Sequence, residues 1–389
     1  MQVFIDSIKG LWEKSFFTNG SILDLIMLVI SLLLIYLAVA KKYEPLLLLP
    51  IAAGMLLTNI PGANMFNPEF FADEKVNFSL VLSEGGFLDI LYIGVKLQIF
   101  PLLVFFGVGC ITDFGPLIAN PSSFLLGAAA QAGIFLTFIG AYALGFPFNE
   151  AASIAIIGSS DGPTTIWLTS KLAPEMLGGI AIAAYSYMAL IPVIQPPIMR
   201  ALTTRKERAV RMDRLRPVSR KEKIFFPIIV TVLVGFIVPD ALGLVGMLML
   251  GNLFKESGVV ERLVKTSQNE LMNIIIIMLG MSVGATAKAE SFLNAKTLMI
   301  VGLGLSAFVL STASGILFGK LMYIIGGKKT NPLIGSAGVS ALPMAARVVQ
   351  KVGQETDPGN HLLMHAMGPT VSAIIGSTVV AGIMFGLFG

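Results

Sequence analysis

Apolar runs separated by short polar turns dominate the chain, and most of them are long enough to cross a bilayer as a helix. In the first half these runs lie at residues 22–40, 46–60, 90–111, 124–145 and 180–199. The second half continues in the same manner. The pattern predicts an all-α polytopic membrane protein with about ten spans.

Two polar regions differ from this pattern. Residues 204–223 carry nine Lys or Arg side chains, which predicts a cytoplasmic basic loop by the positive-inside rule. A topology anchor is the simpler role for this loop, and docking of a soluble partner or of anionic lipid is the alternative. Residues 1–20 mix apolar and charged side chains at a spacing typical of an interfacial helix, although a frayed tail explains the same composition.

A helix-breaking stretch, Gly-Ser-Ser-Asp-Gly-Pro-Thr-Thr at residues 158–165, interrupts an apolar region. Its carboxylate, Asp161, is costly at membrane depth and by default marks an ion or proton site. Gly and Pro beside it break the backbone hydrogen-bond ladder, and such breaks occur where the backbone is buried or lines a cavity. An Asp that only caps a half-helix is the competing interpretation.

The second half of the chain repeats the first in weakened form. Residues 338–343, Gly-Val-Ser-Ala-Leu-Pro, are similar to Gly-Ser-Ser-Asp-Gly-Pro at 158–163, and two further weak matches occur in the same order. Matches in a shared order indicate an internal repeat. We therefore expect a first repeat at residues 21–203 and a second repeat at 224–389.

Counting the spans decides how the two repeats are related. With the basic residues on the cytoplasmic side, single passes fail at two Gly, Ser and Pro rich segments, near 148–172 and 331–351. If each segment is a re-entrant helical hairpin, the charges agree, the repeats are inverted, and the two hairpin tips meet near the bilayer midplane. Both termini then lie outside. An N-terminus inside would require residues 1–19 to cross as well, or one hairpin to be a true span.

Composition excludes several classes of function. Of the 389 residues 55% are hydrophobic and 13% charged, and the small net charge of +4 gives nucleic-acid binding little support. Cys110 is the only cysteine, which excludes an intrachain disulfide and a CxxC site. Neither a Walker A pattern nor an HExxH occurs, so the energy for any pumping must come from another source.

The two expected tips gather oxygen groups rather than imidazole or thiol groups. One tip supplies Ser159, Ser160, Asp161, Thr164 and Thr165, and the other supplies Asn331, Gly335, Ser336, Gly338 and Ser340. Hard oxygen ligands favour Na⁺ or H⁺ over a transition metal. Burial without a cation favours the protonated form of Asp161, so one carboxylate can hold Na⁺ and H⁺ in alternation.

Three further side chains are candidates, two of them with competing interpretations. Arg347 lies one turn after Pro343 and either anchors its helix by snorkelling or binds an anionic substrate group. Tyr187 either packs in the core or donates a proton. Thr370 belongs to a further polar break, Met-Gly-Pro-Thr at 367–370, which is a candidate continuation of the ion pathway.

Three long blocks of sequence carry a family resemblance. They are IGSSDGPTTIWLTSKLAPE, AIAAYSYMALIPVIQPPIMRALTT and NPLIGSAGVSALPMAARVVQ. With them the chain resembles, over nearly its whole length, the β subunit of the biotin-dependent sodium-translocating decarboxylases, which act on oxaloacetate, methylmalonyl-CoA, malonate or glutaconyl-CoA. Blocks of this length are far more specific than a short motif.

The resemblance implies a function. In that family a soluble carboxyltransferase moves CO₂ from the substrate to biotin on a carrier subunit. The membrane β subunit then decarboxylates carboxybiotin, exports Na⁺ and consumes a proton from the outer side. Carried over by position, the expected catalytic residues are Asp161, Tyr187 and Arg347, of which Arg347 would also bind carboxybiotin.

The same resemblance, together with the tip residues, gives an expected Na⁺ site. Its ligands are Asp161, Ser160, Asn331, Gly335, Ser340 and Thr370. Thr370 stands where many family members have Asn. This difference changes one ligand from an amide to a hydroxyl and bears on ion affinity or stoichiometry.

The resemblance also implies a membrane, partner subunits and an oligomeric state, and one alternative function stays open. It implies a complex in the cytoplasmic (inner) membrane of a bacterium or archaeon, with a biotin carrier subunit, a carboxyltransferase α subunit and a small membrane γ or δ subunit. It further implies an elevator-type carrier and a homo-oligomer, a trimer. The residues alone fit a Na⁺/H⁺ antiporter or a Na⁺-coupled anion symporter without catalysis equally well, and they do not name the acyl substrate.

Overall fold

The computed structural model describes residues 4, 9, 10, 12, 13, 15–42, 44–71 and 76–389. All regular secondary structure within these residues is helical, which confirms the prediction of an all-α chain. Nine of the twenty residues of the expected interfacial segment, residues 1–20, lie outside the described residues, and its interfacial location stays a prediction.

Fifteen longer helices of the described residues form the frame and are numbered here in chain order. They are α1 (Ile22–Ala40), α2 (Pro45–Thr58), α3 (Phe87–Lys96), α4 (Ile99–Ile111), α5 (Ser123–Ala130), α6 (Ala132–Ala143), α7 (Phe148–Ala155), α8 (Gly162–Leu172), α9 (Leu177–Leu202), α10 (Arg220–Ile237), α11 (Leu242–Ser257), α12 (Met272–Ala285), α13 (Ala295–Ile325), α14 (Met344–Thr356) and α15 (Leu363–Phe388).

Shorter helical pieces connect the frame. The α-helical pieces are Phe16–Asn19, Phe78–Glu84, Gly115–Ala119, Arg205–Arg208, Glu261–Thr266 and Ala289–Phe292. The 3₁₀ turns are Pro68–Phe71, Ile156–Ser159, Pro174–Met176, Pro239–Ala241 and Pro332–Ala337, and Ser267–Leu271 is a π-helix.

Six helices in the described part of the chain are long and apolar enough to cross a membrane. A seventh candidate is the pair α3 and α4, which is bent by 65°. Gln98 causes the break between them, because its backbone is left-handed (φ 64°) and its side-chain amide donates to Ser170 Oγ at 2.8 Å. The predicted number of about ten spans also counts shorter apolar helices such as α2, and it stays a prediction.

The first hairpin consists of α7 and α8, and it begins and ends at one place. Asn149 Nδ2, in the first turn of α7, donates to the backbone oxygen of Leu172 at the end of α8 at 2.8 Å. Between the two helices the chain reverses through the 3₁₀ turn Ile156–Ser159 and Ser160, whose φ is 55°. These helices cover residues 148–172, the region in which the sequence predicts a re-entrant hairpin, and the re-entrant course stays a prediction.

The second hairpin runs from Asn331 to the end of α14, and both of its ends contact the basic loop. Asn331 and Asn360, which flank it, each donate to the backbone oxygens of Arg208 and Val210 at 2.8 to 3.1 Å. The hairpin extends five residues beyond the predicted end at 351, because α14 continues to Thr356.

The long helix α13 separates the bases of the two hairpins. Near its start, Lys296 Nζ lies 3.1 Å from the Glu150 carboxylate of the first hairpin. Near its end, Lys320 Nζ lies 3.5 Å from Glu207 in the basic loop, on which the second hairpin rests. At 1.5 Å per residue these two contacts are about 36 Å apart along the axis, roughly the thickness of a bilayer. The hairpins therefore enter from opposite ends of the molecule.

Two helix crossings join the halves of the chain through glycines. In the crossing of α2 and α12, a Cβ placed on Gly284 would lie 2.0 Å from the Ile51 backbone oxygen. In the crossing of α4 and α11, a Cβ on Gly109 would lie 2.0 Å from the Leu248 oxygen. Only glycine permits such main-chain contact between helices. Each crossing pairs one helix of the first half with one of the second.

Candidate functional site

Asp161 lies at the tip of the first hairpin, where it is the N-cap of α8 and only 7% exposed. Thr164 Oγ1 donates to its Oδ2 at 2.6 Å, and Ser377 Oγ of α15 donates to the same oxygen at 2.9 Å. Among the described residues no Lys, Arg or His forms an ion pair with this carboxylate. A buried carboxylate without a protein counter-charge requires a cation or a proton.

The tip of the second hairpin contacts the first tip directly. The Ser340 backbone N–H donates to the Ser159 backbone oxygen at 2.9 Å, and Ser340 Oγ donates to Ser377 Oγ at 3.3 Å. Since Ser377 donates onward to Asp161, the two tips and α15 form one continuous chain of hydroxyls that ends on the carboxylate. The expected meeting of the tips is therefore present.

A cavity of about 380 Å³ adjoins Asp161. Its polar lining near the tips comes from Ser160, Asp161 and Ser340, and most of the remaining wall is apolar. Gly162 and Pro163 at the start of α8 line it, as do Leu342 and Pro343 directly before α14. The N-termini of two helices therefore face the cavity, and both favour a negatively charged group there.

One end of the cavity lies toward the basic loop. Asp113 lines this cavity and also a second one of about 250 Å³ beside Arg216 and Lys223. Lys223 Nζ lies 3.3 Å from Asp113 Oδ1 and 3.7 Å from Glu256. This arrangement gives the Asp161 region an approach from the basic side of the molecule.

The other expected Na⁺ ligands lie farther from Asp161, on α15 and along the second hairpin. Thr370 Oγ1 donates to the Ala337 oxygen at 2.8 Å, next to the tip. Gly335 packs with its main chain against Gly315 of α13, where a Cβ would lie 2.0 Å from the Gly315 oxygen. Asn331 lies at the base, and its amide is engaged by the basic loop. The structure thus brings Ser160 and Ser340 to Asp161 and leaves Asn331 at the opposite end of the hairpin.

Two expected catalytic side chains are absent from the cavity lining. The Tyr187 hydroxyl donates to the backbone oxygen of Val301 in α13. Arg347 is exposed on α14, one turn after Pro343, which does line the cavity. Their catalytic roles stay predictions.

Two residues of the site were not expected from the sequence. Ser377 is fully buried in the apolar helix α15, and its only sequence signal is the short polar break Gly376-Ser377-Thr378. Tyr185, rather than Tyr187, lines the cavity beside Asp161. The alternation in Tyr-Ser-Tyr at 185–187 does not reveal which tyrosine faces the site.

The donor set suits a hard monovalent cation. Within the described residues no group of three or more His, Cys, Asp or Glu side chains could hold a metal ion. The chain offers one carboxylate with several hydroxyl and backbone oxygens instead, which are ligands for Na⁺ rather than for a transition metal.

The base of the second hairpin carries an exposed ion pair. Arg211 Nε lies 2.7 Å from Asp357 Oδ2, and Arg211 also donates to Oδ1 at 2.9 Å. Hydrogen bonds from this guanidinium lower the pKa of Asp357, helped by the Gly359 backbone N–H. The pair ties the basic loop to the turn between α14 and α15.

The comparisons with known proteins all indicate one family, and the matches cover nearly the whole chain. Residues 23–388 match the model of the Na⁺-transporting oxaloacetate decarboxylase beta subunit. The chain is 56% identical to the methylmalonyl-CoA decarboxylase subunit beta of Propionigenium modestum, over 99% of this chain and 100% of that one. It is 51% identical to the glutaconyl-CoA decarboxylase subunit beta of Acidaminococcus fermentans, over 100% of both. It is 52% identical to the oxaloacetate decarboxylase beta chain of Klebsiella pneumoniae, over 92% of this chain and 94% of that one.

Proposed function

This chain belongs to the family of Na⁺-transporting decarboxylase β subunits, and from that premise we propose that it decarboxylates carboxybiotin beside Asp161 and exports Na⁺ in the same cycle. As a β subunit it is the membrane component of a multi-subunit sodium pump. The observation that carries the proposal is a buried carboxylate without a protein counter-charge, placed where two hairpins meet beside a cavity.

Carboxybiotin, supplied by a biotin carrier subunit, enters the cavity from the basic side. Two helix N-termini meet its negative charge there, and Arg347 guides it at the rim. The apolar walls suit a bicyclic ring, and a volume of about 380 Å³ is in the range of small-molecule sites. Loss of CO₂ leaves a ureido anion that requires a proton.

Asp161 couples this chemistry to the ion. Its proton neutralises the ureido anion, either directly or through Tyr187, and the ionised carboxylate then binds Na⁺ from the cytoplasm. Ser160, Ser340 and the newly found Ser377 complete the first ligands. Gly335 and Asn331 extend the site along the second hairpin, and Thr370 extends it on α15. A proton from the outer side resets Asp161 after Na⁺ leaves.

The transport step rests on inverted repeats. The two glycine crossings, α2 with α12 and α4 with α11, support such repeats. In each crossing a helix of residues 21–203 packs against a helix of residues 224–389, as expected for a two-fold axis in the membrane plane. We propose that the joined hairpins move together as an elevator-type carrier, with the basic loop 204–223 on the cytoplasmic face. Partner subunits are then the carboxyltransferase α subunit, the biotin carrier and a small γ or δ subunit, around a trimer in a bacterial or archaeal inner membrane.

The substrate that the complex decarboxylates is selected by the carboxyltransferase rather than by this chain. Relatives named for glutaconyl-CoA and for oxaloacetate are almost equally similar to it, at 51% and 52% identity. The antiporter or symporter without catalysis finds no support in this set of decarboxylase subunits.

Replacing Asp161 tests the proposal. Asp161→Asn keeps the shape but removes the charge and the exchangeable proton, so we expect it to abolish both carboxybiotin decarboxylation and Na⁺ uptake into inverted vesicles. Asp213→Asn, an exposed change in the basic loop, serves as the control and should retain both activities.

Na⁺ uptake coupled to carboxybiotin decarboxylation in Asp161→Asn would contradict the proposal. A second arm addresses the rival function: the wild-type protein should co-purify on monomeric avidin with a biotinylated carrier and a carboxyltransferase. Isolation alone, with Na⁺/H⁺ exchange in liposomes, would favour the antiporter instead.

A further inference from the structure

Tyr185 lines the cavity beside Asp161 and carries a buried hydroxyl. Its side chain is 0% exposed, lies on α9 and lines the cavity. The hydroxyl has no hydrogen-bond partner within the part of the chain that the structure describes. The Tyr185 hydroxyl oxygen lies close to the first tip. A Cβ atom placed on Gly162 at that tip would lie only 2.4 Å from this oxygen.

Ser160 presents a second such hydroxyl. It is 2% exposed, adopts a left-handed backbone (φ 55°) that serine rarely takes, and its Oγ also lacks a partner among the described residues. Of the buried polar side chains in that condition, Ser160 and Tyr185 are the two that line this cavity. Leaving a buried hydroxyl unpaired costs stability, so each such group calls for an explanation, and a bound ligand that supplies the partner is one.

We propose that the Tyr185 and Ser160 hydroxyls donate hydrogen bonds to the ureido oxygen of carboxybiotin and so stabilise the charge that develops when CO₂ leaves. The inference rests on the proposed function and names the binding contacts of that same site. When the bond between the ureido nitrogen and the carboxyl carbon breaks, its electron pair remains on the nitrogen and is shared with the ureido oxygen. Both hydroxyl protons stay in place, and the proton that neutralises the nitrogen comes from Asp161.

The alternative tyrosine is already engaged. Tyr187 is two positions from Tyr185 on α9, so the two side chains leave the helix about 200° apart. The Tyr187 hydroxyl donates to Val301 in α13, on the side of α9 that packs against that helix. Hydrogen-bond donors fixed in advance around a developing anion are among the strongest contributions to catalysis. Tyr185 meets that requirement, whereas Tyr187 would first have to give up its bond.

The experiment compares single hydroxyl deletions in the complete complex, reconstituted in proteoliposomes with the carboxylated carrier subunit. For Tyr185→Phe we expect kcat for carboxybiotin decarboxylation to fall about 100-fold, as when one oxyanion donor is removed. The half-saturating Na⁺ concentration should stay unchanged. Because the deleted hydroxyl is unpaired in the fold, the melting temperature should be equal to or above that of the wild type.

Two further tyrosine variants are measured for comparison. Tyr92→Phe removes a hydroxyl from a buried aromatic cluster with Phe66 and Phe71, and it should retain the wild-type kcat. Tyr187→Phe, measured in parallel, should lose less activity than Tyr185→Phe. A larger loss at Tyr187 overturns the assignment.

The remaining outcomes separate this inference from the function on which it rests. A wild-type kcat in Tyr185→Phe, with Asp161→Asn inactive, overturns the inference and leaves the proposed function standing. A tenfold higher half-saturating Na⁺ concentration with normal kcat at saturating Na⁺ also overturns it, because the hydroxyl would then be an ion ligand. Pumping by Asp161→Asn removes the proposed function itself.

Discussion

The two hairpins meet at one point but bring different chemistry to it. The first carries Asp161, the one carboxylate at the junction, and the second supplies the main-chain N–H and the hydroxyl of Ser340. The position that corresponds to Asp161 in the second half is Ala341. The junction therefore holds a single charge, and that charge requires one partner at a time, a cation or a proton.

Their bases differ as well. The first hairpin is closed by the bond from Asn149 to Leu172 and anchored by the ion pair of Glu150 with Lys296. The second is bound to the basic loop by hydrogen bonds that the side-chain amides of Asn331 and Asn360 donate to its backbone oxygens. The first base therefore has a half-buried ion pair with α13, whereas the second combines neutral hydrogen bonds to the backbone of the basic loop with the exposed pair of Arg211 and Asp357.

The largest expected difference concerns the packing of the hairpins on α13. Gly335→Ala places a methyl group 2.0 Å from the Gly315 oxygen, a clash with backbone that the second hairpin cannot relieve. We expect a loss of about 3 kcal/mol or more in the free energy of unfolding. In Gly158→Ala of the first hairpin the new atom lies 3.0 Å from Ala307 Cβ, and we expect about 1 kcal/mol. Thermal unfolding in detergent measures both, and equal losses would contradict the difference in fit.

An intermediate effect is expected where α15 joins the tips. Ser377→Ala removes the donor to Asp161 Oδ2 and the partner of Ser340, so the half-saturating Na⁺ concentration should rise about tenfold, the value of one hydrogen bond to a charged group. Thr378→Ala is the control, because that hydroxyl bonds only within its own helix. Unchanged Na⁺ dependence in Ser377→Ala would remove Ser377 from the ion site.

The smallest effect belongs to the exposed pair at the base of the second hairpin. The lowered pKa of Asp357 means that its pairing with Arg211 contributes fully above the usual carboxylic acid range and is lost as the pH falls through the lowered value. Asp357→Asn should therefore lower the melting temperature slightly at neutral pH and leave it equal to wild type in strong acid. A difference that grew on acidification would contradict this sign.

The prediction of the two hairpins rests on signals that are local in the sequence. Gly, Ser and Pro concentrate at both tips, and Asp161 is conspicuous among apolar residues. In the structure the helices of the first segment cover 148–172, and in the second segment α14 continues to Thr356, while the re-entrant course of both segments stays a prediction.

What the sequence could not supply are contacts between distant parts of the chain. Ser377 lies 216 positions from Asp161, in a helix that is apolar over most of its length. Tyr185 and Tyr187 have the same composition around them, and only the packing of α9 decides which one meets the cavity. Similarly, the main-chain contact at Gly284 is visible only once α2 and α12 cross.

The bond from the Ser340 N–H to the Ser159 oxygen has a consequence for how such a pump can evolve. Because it uses backbone atoms alone, it survives almost any change of the side chains around it. Mutation can exchange hydroxyls, amides or methyl groups near the proposed ion site while the junction persists. The preference for one cation over another is therefore open to gradual retuning, and this junction is a sensible starting point for engineering a pump with a new ion.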